Sequence, residues 1–456
     1  MHGLEVTFTE VARHRPFELL APTAPAVPVG ADETPAPQPA PYVSLVADLL
    51  GTDARLTLAS GATRFTAAYD AESRRVWLEV GDGPSSTLHR SRRFGRCPEP
   101  PARLALTLTG LHLTAFVHDG ERWLARSRVD LRDRLETRTD GFVAALTASA
   151  DGVAGAVVGP FGQLGLRDLR FVTTADGDPV CDDGAWLLTA THAGPGFFDA
   201  AHTGVWSLAP QTLEWQHRAD LFFRRPGEVE GGVYGDHATH LVRDGSRWLV
   251  ATSTWGDLDV TTPQRRRRAT VSVVLAESTA DLTQGPHVLD AHPLPLPTDG
   301  FASVATWDPH LVRDATPDGP RWLVGFVSSP KLFRFHPALA AGPSLDDLTL
   351  LAADPDRRAT EGTTLVRTDM GWRVVASDGR DGRRGQRRAY PVFDVDLRQL
   401  GALDAAYLTN LPWPALARDP ARPGTWWLVA FNGRRAGGEV LGYGTHGDVV
   451  VMRGGS

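Results

Sequence analysis

Between residues 54 and 125 the chain carries short runs in which apolar and polar residues alternate. They are Ala54 to Ala59, Arg64 to Tyr69, Val76 to Val80, Arg103 to Thr109, Leu113 to Val117 and Arg122 to Ala125. A period of two puts every second side chain on one face of a strand, so these runs predict an antiparallel β-sandwich. Turn formers such as Gly81-Asp82-Gly83 and Asp119-Gly120 separate them. Upstream, seven prolines from Pro22 to Pro41 forbid helix and favour an extended surface segment, 21–41.

From about Phe171 a different pattern takes over, and it repeats. The clearest copy is Trp307-Asp308-Pro309-His310-Leu311-Val312-Arg313-Asp314, followed by Arg321-Trp322-Leu323-Val324-Gly325. Related units surround Asp178-Pro179 with Trp186, His237-Ala238-Thr239-His240 with Trp248, Glu361-Gly362 with Trp372, and Trp413-Pro414 with Trp426. Taking one Trp per unit, the intervals are 62, 74, 50 and 54 residues. Strand-rich units of this length predict an all-β fold, a five-bladed β-propeller with inserted loops. The expected division is a sandwich over 1–165 and a propeller over 166–456, with Asp448 to Met452 as a candidate closing strand.

A propeller brings equivalent positions of successive units to one end of its axis. Here those positions hold Asp178, the segment His237 to His240, Asp308, Glu361 and Trp413. Carboxylates crowded in a desolvated funnel repel one another, so one keeps its proton near neutral pH while another stays charged. Glycosidic cleavage needs that division, an acid for the leaving oxygen and a carboxylate to activate water or attack the sugar.

Composition narrows the choice. A net charge of −7 offers no global attraction to nucleic acid or an anionic membrane, and no apolar run is long enough to span a bilayer. Two cysteines, Cys97 and Cys181, cannot make a disulfide framework, and no Cys/His spacing fits zinc, so neither a metal nor a cofactor is expected. The start, Met1-His2-Gly3-Leu4-Glu5, has no leader pattern, which makes a cytoplasmic location the expectation. The basic runs Arg265 to Arg268 and Arg380 to Arg388 read as solvated loops.

The units resemble the five-bladed propeller glycoside hydrolases, the superfamily of families 43, 32 and 68. The likeness lies in an Asp-Pro unit in the first repeat, another in the third and a Glu-Gly unit in the fourth, separated by 130 and 53 residues. It implies Asp178 as base or nucleophile, Asp308 as the residue that binds substrate and tunes the acid, and Glu361 as general acid. Gly177-Asp178-Pro179-Val180-Cys181 departs from the fructosidase nucleophile signature, which favours inversion. The implied partner is a furanose- or pentose-containing oligosaccharide, with His237, His240, Trp307, His310 and Trp413 as candidate contacts to it. The hairpin Leu113 to Ala125 resembles those of concanavalin-like jelly rolls. A carbohydrate-binding or scaffold propeller, and a phosphorylase or transferase using Arg383 to Arg388, are the competing readings.

Overall fold

The computed structural model describes residues 3–227, 229–317, 319–441 and 447–455. From residue 166 onward the described residues fold into five successive antiparallel units of four main strands, the first two joined edge to edge by parallel pairing of Glu214–Arg224 with Gly285–Pro293, and the first strands of neighbouring units pack side by side. The first sheet runs Leu166–Phe171, Ala185–His192, His202–Ala209 and Glu214–Arg224. The second starts at His237–Asp244, the third at Ala305–Thr316 and the fourth at Thr360–Thr368. The fifth is Ala415–Arg418, Trp426–Asn432, Asp448–Gly454 and the N-terminal strand Thr7–His14, with the two-residue strand Asp404–Ala405 at its edge. This is a β-propeller. Its inner strands are apolar on both faces because each blade is sandwiched between neighbours, as in Leu241-Val242 and Leu311-Val312.

Asp448–Gly454 takes part in closure as the third strand of the fifth sheet, and the ring is zipped by residues from the opposite end of the chain, with Phe8 opposite Gly454 and His14 opposite Val449. The strand Thr7–His14 therefore pairs into the propeller's last sheet. Alternation in Thr7–His14 marks a strand but carries no information about a partner more than 400 residues away.

Two further sheets form the sandwich. One carries Tyr42–Leu49, Arg103–Thr109, His112–His118, Trp123–Asp130 and Val153–Gln163; the other carries Ala54–Ser60, Thr63–Asp70, Arg75–Asp82 and Leu146–Asp151. Leu45, Leu56, Phe65, Leu78, Leu106 and Leu113 fill the space between them. The proline-rich segment lies on this body, contributing only the two-residue strands Val27–Pro28 and Thr34–Pro35. A separate apolar cluster that includes Tyr42, Phe116, Phe161 and Phe222 joins sandwich to propeller.

The junction also carries charge. Arg132 of the sandwich pairs with Asp199 and reaches Asp259 at 2.7 Å, and His112 reaches Asp199 at 2.9 Å. Asp199 follows Phe198, and Asp259 follows Leu258, both in loops at the end of the propeller described next. Beside the junction, the carboxylate of Asp220 takes His202 and His217, each at 3.1 Å, and His192 at 3.3 Å. Among the described residues, His192, His217 and Asp220 are the group whose ligand atoms lie close enough to share an ion. The indole N–H of Trp206 donates to His192 Nε2 at 2.7 Å, so the ring's own proton sits on Nδ1, facing Asp220. Hydrogen bonding thus accounts for the cluster without a metal.

Candidate active site

Four of the five first strands begin with the same irregularity. The pairing register slips between Arg167 and Arg170, His237 and His240, Trp307 and His310, and Glu361 and Thr364. At each slip one residue is left-handed: Asp168 (φ 53°), Ala238 (φ 61°), Asp308 (φ 56°) and Gly362 (φ 73°). A bulge of this kind turns two consecutive side chains toward the same side of the strand. Asp and Gly tolerate the conformation best. At Gly362 the glycine is also sterically required, since a Cβ there would lie 2.5 Å from the Trp413 ring.

The bulges line one cavity of about 270 Å³ at the end of the axis. Arg167, His237, Trp307 and Glu361 occupy the first bulge position, and Asp168 and Asp308 the second. Three carboxylates, from blades one, three and four, therefore meet. Above them Phe197, Phe198, Trp255 and Phe333 form an aromatic collar, with Phe198 and Trp255 ring centroids 4.6 Å apart. Trp413 completes the wall beside Glu361.

The carboxylates differ in company. Asp308 is buried, accepts a long hydrogen bond of 3.4 Å from the Gly362 N–H, and is pushed well up by burial and then by Glu361, against the pull of Arg170. Asp168 is raised by burial, with Arg167 at 3.2 Å and then Arg170 opposing. Glu361 is pushed up to about 8 by burial first and the charge of Asp168 second; the indole N–H groups of Trp307 and Trp413 pull the other way. No cation opposes its shift. The cluster therefore retains a proton at neutral pH, and Glu361 is the member whose carboxyl no cation draws toward ionisation, whereas Arg167 and Arg170 oppose the rise at Asp168 and Asp308.

Arg170 is the keystone. It is fully buried, donates to the Asp308 carbonyl at 3.0 Å and the Thr364 hydroxyl at 2.9 Å, and lies over the Trp413 ring at 4.7 Å. Burial lowers it to about 10, with Asp308 and Asp168 opposing, so it stays charged at neutral pH.

The structure separates the expected site residues into three groups. Asp308, Glu361, His237, Trp307 and Trp413 come together in the cavity. His240 and His310 do not: they sit three residues past the first bulge position, in the layer of Arg170 and Thr364, stacked at 4.0 Å beneath the floor. Their Nδ1 atoms accept the backbone N–H groups of Leu311 and Leu365 in the following blades, at 3.0 and 3.4 Å, and burial holds both rings neutral. They fasten blades to one another.

Asp178 is the largest departure. It is exposed in a hairpin between Thr173–Thr174 and Cys181–Asp182, where its carbonyl accepts from Thr174, and it faces a different cavity lined by Arg367, Asp369 and Arg418. A turn-forming Asp-Pro in an inserted hairpin has the local sequence of the third-blade unit without its place in the fold. The blade-one counterpart of Asp308 is Asp168. Arg167-Asp168-Leu169-Arg170 matches Trp307-Asp308-Pro309-His310 in having Asp second and a basic or imidazole side chain fourth.

No family model matches the chain, and no curated protein matches it. Among solved structures it is similar to a family 117 glycoside hydrolase of the marine bacterium Zobellia galactanivorans, at 12% identity and TM-score 0.44 over 64% of this chain and 84% of that one. It is also similar to a levansucrase of B. megaterium (7%, TM-score 0.46, 63% and 82%) and to a family 43 enzyme of Xanthomonas citri complexed with xylotriose (15%, TM-score 0.39, 62% and 87%).

Proposed function

We propose that the protein is a glycoside hydrolase acting on a furanose- or pentose-containing oligosaccharide at the cavity formed by Asp168, Asp308 and Glu361. The observation that carries this reading is the convergence of three carboxylates under an aromatic collar, one of them held protonated near neutral pH. Glu361 is the general acid: its proton is retained where the leaving oxygen needs it. Asp168 takes the role of base or nucleophile, kept ionised by Arg167. Asp308, the most buried of the three, orients substrate hydroxyls, while the charge of Asp168 helps to raise the acid. The collar offers flat apolar faces to a sugar ring, and His237 donates from Nε2 to the Phe198 carbonyl at 3.1 Å, fixing that part of it. The neighbours' printed activities, in families 117, 43 and the levansucrases, agree with this chemistry.

A phosphorolytic reading gains little, because Arg383 pairs with Asp356, Arg387 bonds the Gly382 carbonyl, and no arginine of the run 380–388 lines the carboxylate cavity itself. The test is a screen of aryl furanosides and pentosides followed by NMR of the product anomer. Cleavage lost in Glu361→Gln supports the reading, and inversion identifies Asp168 as base and retention as nucleophile. Cleavage that persists in Glu361→Gln with a good or poor leaving group alike overturns it.

A further inference from the structure

We propose that the glycan entering the funnel is anionic, carrying carboxylate or sulfate-ester groups, and that Arg266, Arg267 and Lys331 hold a charged substituent beside the carboxylate cavity. The inference rests on reading the funnel as a glycan site and names the substrate class for it.

The chain is anionic as a whole, at −7, yet its charges are not spread evenly around the funnel mouth. Next to the carboxylate cavity lies a second one of about 540 Å³, between the 260–269 loop and the 329–334 hairpin. Its wall includes Arg266, Arg267 and Lys331, two threonines and apolar side chains, and no carboxylate. Within the same short helix, Pro263–Arg268, Arg265 is consumed by ion pairs with Asp133 and Asp259 at 2.8 Å or less. Arg266, Arg267 and Lys331 make no ion pair among the described residues and remain exposed to the cavity.

The hairpin tip contributes to both cavities. Leu332 lines the cationic one and its neighbour Phe333 lines the carboxylate one. Phe333 is 45% exposed and stands in the mouth. On its other side a groove of about 470 Å³ shares Phe333, Phe335, Asn410 and Leu411 with the carboxylate cavity and adds Arg380 and Arg388 against one carboxylate, Asp381. A glycan threading the mouth thus meets cations on both flanks.

Charge balance inside the funnel permits an anion to enter. With a proton retained by the cluster, at most two charged carboxylates stand against the guanidinium groups of Arg167 and Arg170, so the floor does not repel it. A neutral sugar gains weaker hydrogen bonds from guanidinium groups it must desolvate, whereas carboxylate or sulfate oxygens gain bonds in which both partners are charged. Clefts lined by one sign of charge also concentrate ligands of the opposite sign.

Lys331 is the only lysine in the chain, which makes the test direct. The intact protein is treated with an amine-reactive reagent in the presence of uronate, sulfated or neutral oligosaccharides of matched length, and modification of Lys331 is read by peptide mass spectrometry. The expected result is protection by the uronate or the sulfated series and not by the neutral one; the protecting series tells carboxylate from sulfate ester. In parallel, calorimetry on Arg266→Ala/Arg267→Ala/Lys331→Ala should show at least about a tenfold loss of affinity for the protecting series, and the wild-type affinity should fall with added salt. Equal binding of charged and neutral glycans, failure of every charged glycan to protect Lys331, or undiminished binding by the triple variant overturns the proposal. Protection without cleavage of any glycan refutes the hydrolase reading and leaves this one standing. Cleavage of neutral glycosides with no preference for charged ones does the reverse.

Discussion

Replacing Glu361 by Gln should make the protein more stable, and increasingly so as pH rises. An ordinary glutamate titrates near 4.5, and this one near 8 because folding buries it beside Asp168. Its folded value lies above its unfolded value. Below about 4.5 both states hold the proton and the residue costs nothing; between 4.5 and 8 the unfolded chain releases the proton while the folded one keeps it, so stability declines. Above 8 the full cost is present and stays constant. At about 1.4 kcal/mol per pH unit the gap sets a ceiling of about 5 kcal/mol, and the opening of the carboxyl to the cavity reduces this to about 2–4 kcal/mol. Gln keeps the shape and removes the titration. Urea unfolding of both proteins from pH 4.5 to 9 should show the variant's advantage growing through that window and then levelling. A difference that is flat with pH would refute the argument that this carboxyl is held protonated by its surroundings. The same proton should shape activity: kcat/KM of the wild type should fall above about pH 8, and a profile still level at pH 9 would contradict the acid's assignment.

Other consequences follow from the packing. Arg170→Met should cost about 3–5 kcal/mol by leaving Asp308 buried without its guanidinium and by unfastening blades one, three and four; thermal unfolding reads it. Arg132→Ala should raise KM several-fold with a smaller change in kcat, because Asp199 and Asp259 anchor the loops that carry Phe198 and Val260 rather than touching the carboxylates; an unchanged KM would show that the sandwich does not position the collar. Deleting residues 1–14 should lower the unfolding midpoint and expose Asp448–Gly454 to protease, since that strand loses one of its two ladders.

Much of this organisation is written in local patterns. Alternation located the sandwich strands, and a Trp in each second strand marked the blades, because both signals arise from which face of a strand is buried. Asp308 and Glu361 were legible because their blades keep a short distance from bulge to marker: 322−308 = 14 and 372−361 = 11. Blade one does not. Its hairpin insertion stretches the distance from Asp168 to Trp186 to 18 and places Asp178 only 8 residues away, so the Asp-Pro dipeptide draws the alignment to the wrong strand. The +3 position is equally deceptive. His240 and His310 have the side chains of sugar ligands, but at that spacing a strand residue points below the bulge, and only the register shows that they bond the next blade. Phe197, Phe198 and Phe333 come from loops whose course no periodicity describes.

The central claim is that Asp168, not Asp178, completes the carboxylate triad with Asp308 and Glu361. Turnover of Asp168→Asn and Asp178→Asn on one cleaved glycoside measures it directly. The account predicts a loss of kcat of about 1,000-fold or more for Asp168→Asn and a rate within about twofold of wild type for Asp178→Asn. The opposite ranking, or equal losses, would contradict it.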